Sequence, residues 1–393
     1  MARNNDGKRE TACGIVVEPT PKRTKIHESM ENTIIPDDVL RNILSRLSAK
    51  PLMRFRCSSK HWNSLITDPC FINSISRRMI LMHSGLTGLY AFDPKHQNII
   101  KLTYPFEDQI HKCNVIGTLN GIVLLLLEKY YYGGPRIFIL YNPLTRASKK
   151  LPSLPDPCCL LTATTYAYGF GHGNIITIRY PCHTCPSNNT YNKFNVFNLK
   201  KGSWTVPKTT FKFSTDLFVH QVGIFLNGFI HWIRFVSNKF DIVVLDVTEL
   251  VVSRIDAPRM KVDCYNPYFS VLGTLHGCLC MSSMWCNGFD LWVKEHDEWS
   301  KQYSFRLPFY RHGCDNCLDV SIFEEGRILV KDEVSNQIIM CHLFERYYDI
   351  FKCAGEMRVA NRFEYFEKGV KFLVGKPFEY VESLLSPSDI CHV

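Results

Sequence analysis

The sequence predicts an α+β multidomain chain, a small three-helix unit at the N-terminus followed by an all-β propeller of six blades. Three observations carry this expectation. Helical periodicity is confined to residues 31–78; strands and tight turns then recur about every 50 residues; and both ends of the strand region, 84–105 and 364–375, hold strands that belong to no complete repeat.

Composition bounds the rest. With 46% hydrophobic and 21% charged residues the 393-residue chain is globular. The longest apolar run, "GIVLLLLE", has the length of a strand and falls far short of the ~18 residues that cross a bilayer. The segment "MARNNDGKRETACG" lacks the apolar core of a signal peptide, so the chain is expected in the cytoplasm and/or nucleus, with no membrane partner. Its 17 cysteines, an odd number without fixed spacing, read as thiols of a reducing compartment. The formal charge of +9 divides into +6 over residues 1–80 and +3 over the remainder, and that near-neutral body argues against a nucleic-acid groove. The basic run "PKRTK" (21–25) reads either as a weak nuclear import signal or as a solvated patch.

Residues 1–30 are polar and unpatterned, and a disordered tail is expected there. Next comes "IIPDDVLRNILSRL" (34–47). Pro36 stands at a helix start, where a missing N–H costs nothing. Asp37 and Asp38 follow at the positive end, and Val39, Leu40, Ile43, Leu44 and Leu47 form an apolar face. "SAKPLMRFRC" and "SSKHWNSLI" supply two more short helices. A unit this small buries little of its own surface. Pattern alone leaves two readings open: a lid packed on the propeller, or half of a core that another protein completes.

From residue 79 to 385 the chain reads as short strands. A glycine follows a turn-like residue and precedes an apolar strand in "LNGIVLLLL", "LNGFIHWIRF", "LHGCLCMSSM" and "FEEGRILVKD", with a looser copy in "YGFGHGNIITIRY". The intervals of 50, 57, 49 and 49 residues match propeller blades of kelch size. Asn-Gly between apolar runs is a strong hairpin signal, because both central residues of the tight turn take positive φ. Five blades are expected near 115–152, 166–207, 222–257, 271–307 and 320–354. The outer hairpin at 84–105 and a tail strand at 364–375 would make a sixth, and drawing one blade from both chain ends removes exposed sheet edges, which favours six blades and leaves a seventh, poorly patterned one as the alternative.

In a blade with strands a to d, the a–b and c–d turns leave one face and the b–c and d–a connections the other. The first set is tight here; the second includes "KYYYGGP", "YPCHTCPSNNTY" and d–a connections of 11 to 15 residues. Crossing three strand spacings of about 4.8 Å needs only about five extended residues. The surplus is read as a surface for a target protein, with Tyr130, Tyr131, Tyr132, Tyr265, Tyr268, Tyr310 and Arg311 as contact residues, since Tyr and Arg dominate interface hot spots.

The segment "IIPDDVLRNILSRLSAKPLMRFRCSSKHWNSLITDPCFI" resembles the F-box of plant F-box proteins. The shared features are the Ile-Pro start, the Leu-x-x-Ile-Leu helix, the Arg-Phe-Arg-Cys run, Lys-x-Trp and Asp-Pro-x-Phe. Ala49, Pro51, Ser59 and Ile35 depart from the usual residues without removing an anchoring side chain. "LNGIVLL", "YNPLTRASKKLP", "YGFG", "LNGFIHW", "DLWV" and "YVESL" resemble the F-box-associated domain that follows it in those proteins. The resemblance implies docking to the Skp adaptor of an SCF-type cullin–RING ubiquitin ligase, through a helix inserted in a partner's groove. Pro36, Leu40, Ile43, Leu44, Leu52, Phe55 and Trp62 are the implied adaptor-binding residues or their support, and each also reads as internal core of the helical unit.

No catalytic, metal or cofactor site is expected. Cys182/Cys185 and Cys314/Cys317 have metal-ligand local spacing, but 128 residues separate the pairs, far from a zinc ribbon. "GFGHGN" lacks the Lys-Ser/Thr of a phosphate loop, and the inner strands "NVIGTL", "VGIFL" and "VLGTL" carry no carboxylate. The resulting expectation is a non-catalytic substrate-recognition subunit whose partners are the adaptor, through it cullin and RING proteins, and an unidentified target. The alternatives are an F-box scaffold or regulatory protein outside any ligase, and a propeller enzyme.

Overall fold

A computed structural model describes residues 35–352 and 378–390, apart from 104–111, 129–135, 156–165, 180–192, 209–217, 219–220, 260–269, 307–317 and shorter internal stretches. Four helices come first: α1 Asp37–Ser45, α2 Ala49–Arg56, α3 Lys60–Thr67 and α4 Pro69–Ile75. Pro36 sits one residue before α1, with extended ψ of 147°, and its carbonyl accepts the first helical hydrogen bond from Leu40 N at 3.0 Å. Ser59 caps α3 by accepting from Trp62 N at 3.1 Å. The three-helix expectation is short by one. Asp68 accepts from Cys70 N at 2.9 Å and Pro69 opens α4, so the chain starts a fourth helix directly after "SSKHWNSLI".

Among the described residues, twenty-four strands form six four-stranded antiparallel sheets. Blade 1 combines β1 Arg78–Ser84, β2 Gly88–Asp93 and β3 Asn98–Leu102 with the last strand, β24 Phe378–Val381, in the order β24-β1-β2-β3. Blade 2 holds β4 Lys112–Leu119, β5 Ile122–Glu128, β6 Arg136–Tyr141 and β7 Ser148–Lys150. Blade 3 holds β8 Tyr166–Gly171, β9 Asn174–Arg179, β10 Lys193–Asn198 and β11 Ser203–Thr205. Blade 4 holds β12 Ile224–Leu226, β13 Phe229–Val236, β14 Lys239–Asp246 and β15 Val252–Asp256. Blade 5 holds β16 Val271–Leu275, β17 Cys278–Trp285, β18 Gly288–Glu295 and β19 Glu298–Arg306. Blade 6 holds β20 Leu318–Ile322, β21 Arg327–Asp332, β22 Gln337–His342 and β23 Tyr347–Lys352.

The sixfold expectation is met, and blade 1 is drawn from both ends of the chain. Its innermost strand is Phe378–Val381, pairing Arg78 with Val381 and Leu81 with Phe378; the tail strand expected at 364–375 lies outside the described residues. The strand Arg78–Ser84 starts at the last residue assigned to the helical unit and precedes the hairpin expected at 84–105.

Each pair of neighbouring blades shares its own apolar core. Leu124, Phe138, Tyr168 and Phe197 pack between blades 2 and 3, for example, and Ile80, Phe92, Phe323 and Leu329 between blades 1 and 6, which closes the ring. The inner strands converge so tightly that Cβ atoms do not fit at several points: one added at Gly171 would lie 2.1 Å from the Phe225 ring. The hairpin signals behave as their chemistry requires, with φ of 48° and 78° at Asn120-Gly121 and 49° and 88° at Asn227-Gly228.

Candidate functional site

The apolar residues of α1 divide between two sides. Leu40 and Leu44 point inward and are 7% and 1% exposed. Leu44 meets Leu52, Ile66 and Phe71 in the helical core, with Phe55 and Trp62 packed half-buried against them, their rings 4.8 Å apart. On the other side Ile35, Val39 and Ile43 are 48%, 43% and 49% exposed. Val39 and Ile43, four residues apart, lie on one side of α1, and Ile35 and Pro36 are exposed just before its first turn. Of the residues expected to contact the adaptor, Pro36 and Ile43 are therefore accessible, Leu40, Leu44 and Leu52 fill the helical core, and Phe55 and Trp62 buttress it. Ile35 and Val39, exposed beside Pro36 and Ile43, were not among the expected contact residues. The signal was present: six apolar residues from Ile35 to Leu47 cover more of a short helix than one internal contact can use.

An ion pair links α1 to the start of α4. The Arg41 guanidinium lies 2.5 Å from Asp68. It holds that carboxyl below its ordinary range, helped by the bond from Cys70 N.

Two side chains from the propeller complete the helical core: Leu384, just past β24, and Leu144, in the turn between β6 and β7. Arg56 donates to the Leu384 carbonyl at 3.1 Å. Both leucines are presented by Asn142, which is fully buried. Its carboxamide N–H groups donate to the carbonyls of Ser383 (2.8 Å) and Leu385 (2.7 Å), and its oxygen accepts from the backbone N–H of Leu144 (2.8 Å) and Thr145 (3.2 Å). All of its hydrogen-bonding capacity as two donors and one acceptor is used.

The helices thus stand on the face of the ring that carries the tight turns. β1 begins on that face, β24 ends there, and the approach of Gly121 to Val381 and Ser383 puts the end of β4 beside the end of β24. The strand ends joined by the long b–c and d–a connections lie on the opposite face. Tyr130, Tyr131, Tyr132, Tyr265, Tyr268, Tyr310 and Arg311, and both Cys-x-x-C pairs, fall in those connections, outside the described residues.

Along the axis runs a cavity of about 290 Å³, lined by inner-strand residues of all six blades, including Thr118, Phe225, Thr274 and Glu379. Glu379 qualifies the expectation that inner strands bring no carboxylate to the axis; it arrives on β24, which was not recognised as a strand.

The model of the F-box domain matches residues 33–74, and that of the F-box associated beta propeller domain matches residues 71–387. The chain belongs to the F-box-associated β-propeller family. Its relatives include the F-box protein CPR1 of Arabidopsis thaliana, 26% identical over 314 residues that span 70% of this chain and 73% of that one. A second Arabidopsis thaliana F-box protein is 26% identical over 330 residues, 71% of this chain and 70% of its own. α1 to α4 are thus the F-box, and the ring is the F-box-associated domain.

Proposed function

We propose that this F-box protein is the substrate-recognition subunit of an SCF-type cullin–RING ubiquitin ligase, itself non-catalytic. The F-box docks to the Skp adaptor, and the long connections on the far face of the ring select the protein to be ubiquitinated. The exposure of Ile35, Val39 and Ile43 carries this reading. Two large apolar side chains held open on a helix whose other side is already packed, with a third exposed just before its start, are suited to the groove of a partner. Burying them would contribute roughly 1 kcal/mol or more each, at about 25 cal/mol per Å². Docking on the tight-turn face leaves the loop face free for a target.

The test is calorimetric titration of the full chain with purified Skp adaptor, followed by assembly with cullin and RING subunits. Binding that is lost in Val39→Asp/Ile43→Asp while the circular dichroism spectrum is kept supports the reading. Full affinity in that double variant would sink it.

A further inference from the structure

We infer that the F-box of this chain is not a self-contained module: Leu144 and Leu384, set in place by Asn142, are propeller residues that position it for adaptor docking. This rests on the reading of the F-box as the adaptor-docking unit, but the coupling itself is a property of the chain alone.

The helical core consists of few fully buried side chains, and Leu384 is one of them, at 6% exposure. A unit of some forty residues is marginal without outside help. That help arrives from chain positions far from the F-box. Ser383, Leu384 and Leu385 follow directly on β24, the strand that closes the ring. Beyond them Ile390 is buried between blades 2 and 3, so the tail is held on both sides of the F-box contact. Asn142 ties that tail to the β6–β7 turn with four hydrogen bonds, and Arg56 ties the F-box to the tail. α1 packs on α3 and α4, so the exposed row of α1 inherits its orientation from this seat. Ring closure and presentation of the docking row are therefore one event. A chain whose last strand has not joined blade 1 lacks a properly seated F-box.

The experiment compares full-chain wild type with Leu384→Ala, Leu384→Met and Asn142→Asp. Asn142→Asp keeps the acceptor for Leu144 and Thr145 and loses the donors to Ser383 and Leu385. Two quantities are read: amide hydrogen exchange across the chain, and affinity for purified Skp adaptor. In Leu384→Ala and Asn142→Asp, exchange of α1–α3 amides is expected to rise about tenfold or more while β17 and β18 keep their protection, and adaptor affinity falls about tenfold. Leu384→Met keeps both close to wild type. Unchanged F-box protection in the two disruptive variants would overturn the inference, as would exchange rising equally in every blade. Should the wild-type chain fail to bind the adaptor, the ligase reading falls, while the exchange result still decides the coupling.

Discussion

Arg56 of α2 donates a hydrogen bond to the backbone carbonyl of Leu384, 3.1 Å away in space and 328 positions along the chain. That bond joins the F-box to the segment that seals the ring. It ties the helical unit to the tight-turn face of the propeller, opposite the strand ends joined by the long connections.

Neighbouring residues on α1 should respond in opposite ways. Ile43→Asp changes a side chain that is 49% exposed, so stability should stay within about 0.5 kcal/mol while adaptor affinity collapses. Leu44→Ala empties a site that is 1% exposed, and should cost about 2–5 kcal/mol of F-box stability. Chemical denaturation with calorimetric binding on each variant separates surface from core.

Ring closure by β24 has its own signature. β1 pairs with β2 on one side and β24 on the other, so deleting residues 378–393 bares its edge. Exposed strand edges template association. The truncated chain should form oligomers or aggregates visible by light scattering, and a stable monomer would argue that another segment replaces β24.

Crowding at the axis predicts a ranking of glycine substitutions. Gly171→Ala would bring a methyl within 2.1 Å of the Phe225 ring, an overpacking that should cost about 1–3 kcal/mol. Gly173 has nothing within 4 Å and a φ of +69°, so alanine there meets backbone strain alone, about 1 kcal/mol. Urea midpoints would reveal the order, and a reversal would mean that Phe225 swings aside freely.

His231 makes stability depend on pH. Burial lowers its pKa to about 4, against the bond to the Ile224 carbonyl, which favours the charged ring. The unfolded chain takes up this proton near pH 6.5 and the folded chain only near pH 4. Its contribution is therefore complete above about pH 6.5 and is lost as pH falls toward 4, on the order of 3 kcal/mol in all. His231→Gln keeps a donor for Ile224 and should flatten that slope in denaturant titrations between pH 7 and 4. An unaltered slope would assign it to other groups.

What could be read from residues alone was local. Asn-Gly, His-Gly and the period near 50 declare their turns within a few positions, because positive φ is a property of single residues. Counting those turns gave five blades, and the unpaired strands at the two ends of the β region suggested the sixth. Three things needed the folded chain. Phe378–Val381 is four residues long and earns its place only by pairing with Arg78–Ser84, some 300 positions earlier. The side of α1 that stays open was undecided in a helix apolar on both sides, until Leu52, Ile66 and Phe71 gathered around Leu44. The third is the seat of the F-box on Leu144 and Leu384, two leucines unremarkable in the sequence until Asn142 brings them together. Turn signals are encoded where they act, whereas burial and strand pairing depend on what the rest of the chain delivers to the same point.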